Sequence, residues 1–217
     1  MNASGARADI LRSIRRAVGT PPSGLAEDYA AISRGYAAGG ALDGAQRVAL
    51  FADRLTHYNV GVYHAGQADL PSMIAEVAAA RGKRQLVVPD GFPAAIIPPT
   101  LEAVPDARLS CEDLDRREGV LTMATIAIAV TGTIVLTHGP GEGRRAATLI
   151  PDYHLCVVRA DQIVETVPEA FRRLASVAPA LITTISGPSA TADIEMIRVR
   201  GVHGPRTLDV IIVGTGG

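Results

Sequence analysis

The chain has little with which to build a redox or metal centre. Cys111 and Cys156 are its only cysteines. They stand too far apart for a CxxC pair, so neither a zinc site nor an iron–sulfur cluster can be read from them. Any electron carrier must therefore come from elsewhere. His57, His64 and His138 show no metal-ligand spacing, and no metal or resident cofactor can be named. The chain also lacks Trp and has three Phe and five Tyr, so its 47% hydrophobic content rests on Ala, Val, Ile and Leu. Buried parallel sheets have that composition. Nor is there an excess of one charge: 21 Lys and Arg face 22 Asp and Glu, for a net charge of −1. That excludes a nucleic-acid or acidic-membrane surface and fits a protein that handles a small molecule. Every apolar run of 18 residues is broken by Thr, Gly or Pro, so no membrane span is expected. The N-terminal MNASGARADILRSIRRAV interleaves arginine with its apolar residues, unlike a secretory signal. A cytoplasmic protein is expected, and 217 residues suit one sizeable core with an appended arm.

The pattern along the chain alternates helix and strand. Ile10, Leu11, Ile14 and Val18 share a helical face over about Ala6 to Val18. This helix stops at Gly19-Thr20-Pro21-Pro22, and residues 19–44, rich in Gly, Ala and Pro, read as an extended connector. Residues 1–45 are thus an arm that packs on a neighbouring subunit, giving a homo-oligomer, or on another partner, or folds back on its own domain. The regular domain covers residues 46–217. Val48, Phe51, Leu55 and Tyr58 recur at helical spacing before a strand at Asn59 to Tyr63. A helix from Pro71 to Arg81 ends at Gly82 and precedes a strand at Gln85 to Val88. A short helix before Pro98 is expected in the proline-rich piece that follows. Further strands are expected in the two β-rich runs flanking Thr131-Gly132-Thr133, at Leu155 to Val158, and at Leu208 to Val213. The last long helix starts near Pro168. This alternation predicts an α/β fold, a mainly parallel sheet sandwiched by helices.

Residues 180–206, ALITTISGPSATADIEMIRVRGVHGPR, hold the densest set of candidate site residues. A strand over Leu181 to Ile185 runs into Ser186-Gly187-Pro188-Ser189, and Thr191 to Glu195 resembles a helix start. A strand that opens a helix through such a turn directs backbone N–H groups and the helix dipole at one spot, where a carboxylate or phosphate can sit. The plainer alternative makes Ser186 or Ser189 an N-cap and the glycines turn residues. His203, in the turn Gly201-Val202-His203-Gly204-Pro205, is the first candidate general acid or base, since its imidazole titrates near neutrality. Otherwise it fixes the turn. Asp193 and Glu195 lie on different faces of a helix but share a face of a strand, where they would form a carboxylate pair. Gly132 offers positive φ and lets a ligand approach the backbone. Arg144 and Arg145 sit on a mobile glycine-rich loop that can close on an anion or stay solvated. Arg206 is a third candidate anion ligand. His154 is weighed as a sheet-edge residue facing the site or a structural one, and Cys156 as a buried, inert thiol.

Together, AIAVTGTIVL (Ala127 to Leu136), the Gly/Arg loop, TLIPDYHLCVV (Thr148 to Val158), ISGPSATADIE (Ile185 to Glu195) and GVHGP (Gly201 to Pro205) resemble the LUD-domain family, that of lactate utilisation protein C. The resemblance is closest over Val120 to Val213. It implies a fold related to the NagB/RpiA/CoA-transferase group. It also implies a role beside two sister proteins, one iron–sulfur rich, in oxidising L-lactate to pyruvate. The site is then an anion pocket for lactate, pyruvate or a phosphate, built from Thr131, Gly132, Thr133, Ser186, Gly187, Ser189 and the GVHGP turn with Gly204. Two departures stand out. Val130 replaces the family's usual Glu before Thr-Gly-Thr, and Met123 and Thr125 replace a Gly-x-Asp pattern. A carboxylate beside a turn is a natural general base, and Val130 cannot serve as one. The rivals are a stand-alone enzyme acting on a phosphorylated or CoA-linked substrate, and an assembly subunit without catalysis.

Overall fold

The computed structural model describes residues 3–19, 23–36, 39–177, 181–191, 199–200 and 204–214. It divides into two compact units, Met1–Tyr36 and Ala37–Gly217. The first holds helices α1 (Ala3–Val18) and α2 (Leu25–Ala31). The connector expected after Gly19 is thus interrupted by a short helix, with Glu27 and Asp28 in its first turn, where acidic groups complement the helix dipole.

In the second unit, helix α3 (Gly44–His57) starts in a capping box in which Asp43 and Gln46 bond each other's backbone amides. Strand β1 (Gly61–Ala65) follows, then α4 (Leu70–Ala80) with Pro71 in its first turn, and β2 (Gln85–Val88). A single 3₁₀ turn, Ala94–Ile96, precedes β3 (Glu102–Pro105) and α5 (Cys111–Asp115). Next come β4 (Val120–Met123), β5 (Ile126–Ile128), β6 (Thr133–Leu136), β7 (Tyr153–Arg159) and β8 (Ile163–Val164). The chain continues through α5's longer counterpart α6 (Val167–Val177), then β9 (Thr183–Ile185), β10 (Ala190–Thr191), β11 (Val199–Arg200) and β12 (Thr207–Val213).

Six strands form a sheet in the order β1-β12-β7-β4-β2-β3, and every pairing in it is parallel. The observed architecture is therefore α/β with a largely parallel sheet flanked by helices. A second, mixed sheet, β8-β5-β6-β9, was not expected. The run from Val120 to Leu136 supplies three strands, not two, and Ala124-Thr125 carries the chain from one sheet to the other. Two buried clusters cover the parallel sheet. One packs α4 residues Leu70, Ile74 and Val77 on Leu86, Leu121, Leu155 and Ile211. The other packs α3 residues Phe51 and Leu55 on Val158, Val210 and Ile212, and extends to Ile134 and Leu136 of the second sheet. Truncating a side chain in either layer costs about 2–5 kcal/mol.

The segment Thr191 to Glu195 departs from the expected helix start at its first residue. Thr191 lies in β10, antiparallel to β11, while Asp193 and Glu195 fall outside the described residues. Among the described residues, no helix is long and apolar enough to cross a membrane.

Candidate functional site

Polar side chains that lose contact with water must find partners, and in this fold most of them gather in one region. Among the described residues, the buried polar ones are Asp106, Thr122, Thr133, Glu142, Thr148, His154 and Asp209. Asp209 is structural: Arg81 grips it with two hydrogen bonds of 2.7 Å and the Tyr153 hydroxyl donates to it at 3.0 Å. Burial next to this carboxylate raises the Tyr153 pKa, so the phenol remains a donor. The other six lie in or around the segment that links β6 to β7 and the strands on which it packs.

That segment is fastened, contrary to the mobile loop expected. The Gly141 amide donates to Asp90 O at 2.7 Å and its carbonyl accepts from the Met123 amide at 2.8 Å. Beneath it the buried Glu142 carboxylate accepts from the Thr137 amide at 2.6 Å and from the Thr125 hydroxyl. Arg144 is an anchor: its guanidinium binds both oxygens of the buried Asp106, at 2.8 and 2.9 Å, and donates to Leu109 O. His138 holds positive φ and bonds Gly143 O at 2.7 Å and Thr183 Oγ1 at 2.8 Å.

Two neighbouring cavities flank this segment. The smaller, of about 140 Å³, lies at the amino ends of β7 and β12. Arg145, Thr148 and His154 face the turn Ser186-Gly187-Pro188-Ser189 across it, and Gly204, Pro205 and Leu208 close it. The larger, of about 550 Å³, is lined by Pro89, Asp90 and Gly91 beyond β2, by Asp106 and Arg108 beyond β3, and by His138 and the segment 139–145. It opens where the chain leaves β2 outward for β3, whereas β4, its other neighbour, is followed in this sheet by β7. A crevice between carboxyl ends at such a reversal is where open α/β sheets bind ligands. Arg145 lines both cavities. A still larger cleft of about 900 Å³ lies between α3 and the carboxyl ends of β1 and β12. None of the seven buried polar residues lines it, so its size does not make it the leading site.

The predicted site residues fall into four groups. Arg145, Ser186, Gly187, Ser189 and Gly204 meet at the small cavity. There the Ser189 amide donates to Pro205 O at 2.8 Å, tying the SGPS turn to the end of the GVHGP turn. Thr131 and Thr133 stand behind it in a hydroxyl chain: Thr131 Oγ1 is 2.7 Å from Thr133 Oγ1, which is 2.7 Å from Ser186 Oγ. His203, Asp193 and Glu195 lie outside the described residues. Three expectations change. Gly132, at φ +58°, makes room for helix α3, because a Cβ there would stand 2.8 Å from Arg54 Cβ; the close approach is by protein, not ligand. Arg144 is held by Asp106, as described above. Arg206 forms a two-pronged pair with Asp152 at 2.5 and 2.7 Å, which lowers the Asp152 pKa. Arg145 alone of the three candidate arginines has no carboxylate partner among the described residues; its Nη1 reaches Thr148 Oγ1 at 3.4 Å.

Sequence reasoning underweighted His154. It sits on β7, between β12 and β4, and so is not at a sheet edge. Its Nε2 is 2.8 Å from Thr122 Oγ1. Burial, and then the charge of Arg145, push its pKa down to about 4, so the imidazole is neutral. The adjoining Cys156 thiol is pushed up to about 12 by burial, in keeping with the inert thiol expected. The missed signal was a polar residue inside each of two apolar strands, Thr122 in Val120–Met123 and His154 in Tyr153–Arg159. Buried strands carry such residues only where partners meet them.

The LUD domain family matches residues 112–213. A lactate utilization protein C of Deinococcus radiodurans is 42% identical over 213 residues, covering 96% of each chain. A protein of the same name from Shouchella clausii is 34% identical over 113 residues, covering 50% of this chain and 49% of its own. The crystal structure of a DUF162 family protein from Deinococcus radiodurans superposes with a TM-score of 0.70 at 40% identity, covering 80% of this chain and all of that one.

Proposed function

This chain belongs to the LUD-domain family, and from that premise we propose that it serves L-lactate utilisation as a subunit without an iron–sulfur cluster, holding a small carboxylate in the cavity beside Arg145. The observation that carries this reading is the state of the three arginines. Arg144 and Arg206 are spent on Asp106 and Asp152, and Arg145 faces the cavity without an anionic partner among the described residues. A guanidinium is the natural clamp for a carboxylate. The Ser186 and Ser189 turn adds hydroxyl groups, and about 140 Å³ suits a molecule of a few heavy atoms. Lactate bound there would place its carboxylate on Arg145. Its oxidation to pyruvate releases two electrons and two protons, and the electrons would pass to the iron–sulfur sister protein that the family resemblance implies. Val130, the departure from the family pattern, lines neither cavity, so the missing carboxylate there leaves this pocket intact. Kinship with the NagB/RpiA/CoA-transferase group is part of the same reading and is supported by the six-stranded parallel sheet.

The adjoining cavity of about 550 Å³ favours one rival, a stand-alone enzyme that extends a phosphorylated or CoA-linked substrate from the small cavity into the larger one. Calorimetric titration with L-lactate, pyruvate, inorganic phosphate, sugar phosphates and CoA esters separates the two. Lactate or pyruvate binding that drops at least about tenfold in Arg145→Ala, an amount typical of a lost charged hydrogen bond, and persists in Arg206→Ala, supports the lactate reading. Tight binding of CoA esters or sugar phosphates with neither small acid bound supports the rival.

A further inference from the structure

The proton inventory around His154 determines what the small cavity can recognise. His154 is 1% exposed yet lines that cavity with Arg145. Behind it runs a chain of contacts. Thr122 Oγ1 lies 2.8 Å from His154 Nε2 and donates to Cys156 Sγ at 3.6 Å, and the Cys156 thiol points at Met123 O at 3.8 Å. A carbonyl can only accept, so the thiol proton goes to Met123 O. The sulfur then accepts from Thr122, whose one hydroxyl proton is thereby used. Thr122 Oγ1 is left as an acceptor toward Nε2, which favours the tautomer whose single proton sits on Nε2. Bonds to sulfur are weak, but a second consideration has the same sign. Arg145 borders the same cavity, and a ring nitrogen carrying a lone pair is favoured over an N–H beside a guanidinium. Nδ1 has no hydrogen-bond partner among the described residues, so it is the atom left to serve a ligand.

We propose that the small cavity selects a 2-hydroxy acid over the matching 2-oxo acid, because His154 offers it Nδ1 as a hydrogen-bond acceptor while Arg145 takes the carboxylate. A 2-hydroxyl group donates to Nδ1, whereas a 2-oxo group presents a second lone pair and leaves Nδ1 unpaired in a buried site. Sites built to bond a hydroxyl discriminate strongly against analogues that lack it. Thr122 is a positioning residue: it touches no ligand and sets the imidazole tautomer, as outer partners of functional histidines do. The inference rests on the small-carboxylate reading above and narrows it to lactate over pyruvate.

The test uses the full chain, labelled with ¹⁵N. Long-range proton–nitrogen spectra of its imidazoles give the His154 tautomer directly, assigned by the loss of that signal in His154→Gln. NMR titrations with L-lactate and pyruvate then compare the wild type, Thr122→Val and Thr122→Ser. The expected result is an unprotonated Nδ1 and lactate bound at least about tenfold more tightly than pyruvate. The preference collapses toward equality in Thr122→Val, where the imidazole proton is free to move to Nδ1, and returns in Thr122→Ser. If Thr122→Val does not fold, the wild-type tautomer and preference still decide. A proton on Nδ1, or equal affinity for the two acids, overturns the proposal and leaves the carboxylate pocket standing. Binding of neither acid overturns both.

Discussion

At the scale of single residues, burial of His154 links the site to the pH dependence of folding. The unfolded imidazole takes up a proton near 6.5, whereas the folded one does so only near 4. The unfolded state therefore binds more protons between those values, and stability falls as pH drops through that window. The full loss approaches about 3 kcal/mol. Urea unfolding should show wild type losing about 2 kcal/mol more than His154→Gln between about pH 7 and about pH 4.5. Parallel loss in both would mean that His154 does not set the acid sensitivity in this window, because carboxylates such as Asp152 and Asp161, whose pKa values are lowered by Arg206 and Arg159, lose their contribution only below it. The individual site residues were legible in the sequence as types but not as pairs. Nothing near Arg144 or Arg206 in the chain shows that Asp106 and Asp152, each at least 38 positions away, neutralise them and leave Arg145 as the available cation.

At the scale of elements, the turn between β5 and β6 separates a structural glycine from a spectator. Gly132 combines φ +58° with a helix backbone in the way, since its Cβ would meet Arg54 Cβ at 2.8 Å and Leu55 N at 3.2 Å. Gly139 meets nothing closer than 3.7 Å and does not hold positive φ. Gly132→Ala should therefore cost about 1–3 kcal/mol and lower the melting temperature by several degrees, about 2–4 °C per kcal/mol in a chain of this size. Gly139→Ala should leave it within about a degree. Equal melting of the two variants would mean that α3 can move away from the turn at no cost. Where the sequence carried a period or a cap, elements were legible: α3, α4, β2 and β12 lie close to their expected spans. The break between β4 and β5 was not. Strands buried on both faces lose the apolar–polar alternation that would mark a change of sheet, and Val120 to Leu136 is apolar on both sides of Ala124. The two-residue β8 and the proline-ended β3 were too short to stand out from their surroundings.

At the scale of the whole molecule, composition and contacts suggest different places to cut the chain. Loss of periodicity ends at residue 45, whereas compactness divides the chain after Tyr36. Between these points lie interactions that only the folded domain reveals. The Leu42 amide donates to Glu165 at 2.7 Å, and the Asp43 side chain accepts from the Gln46 amide at 2.8 Å while Gln46 bonds back to Asp43. Ile10, Ile14, Val18, Leu25, Tyr29, Ile32 and Tyr36 are all exposed, and Ala37–Gly217 is a compact unit in its own right. A chain starting at residue 37 should accordingly melt within about 2 °C of the full-length protein, the shift expected for a change near 0.5 kcal/mol. A chain starting at residue 46 loses the N-cap of α3, worth about 1 kcal/mol, and strands the Glu165 carboxylate without its amide, worth about another. It should melt about 4–8 °C lower. Because α3 covers one face of the parallel sheet and holds the Gly132 turn in place, that second truncation should also weaken ligand binding at the small cavity. Equal melting of the two truncated chains would show that residues 37–45 are dispensable and that α3 starts correctly without its cap.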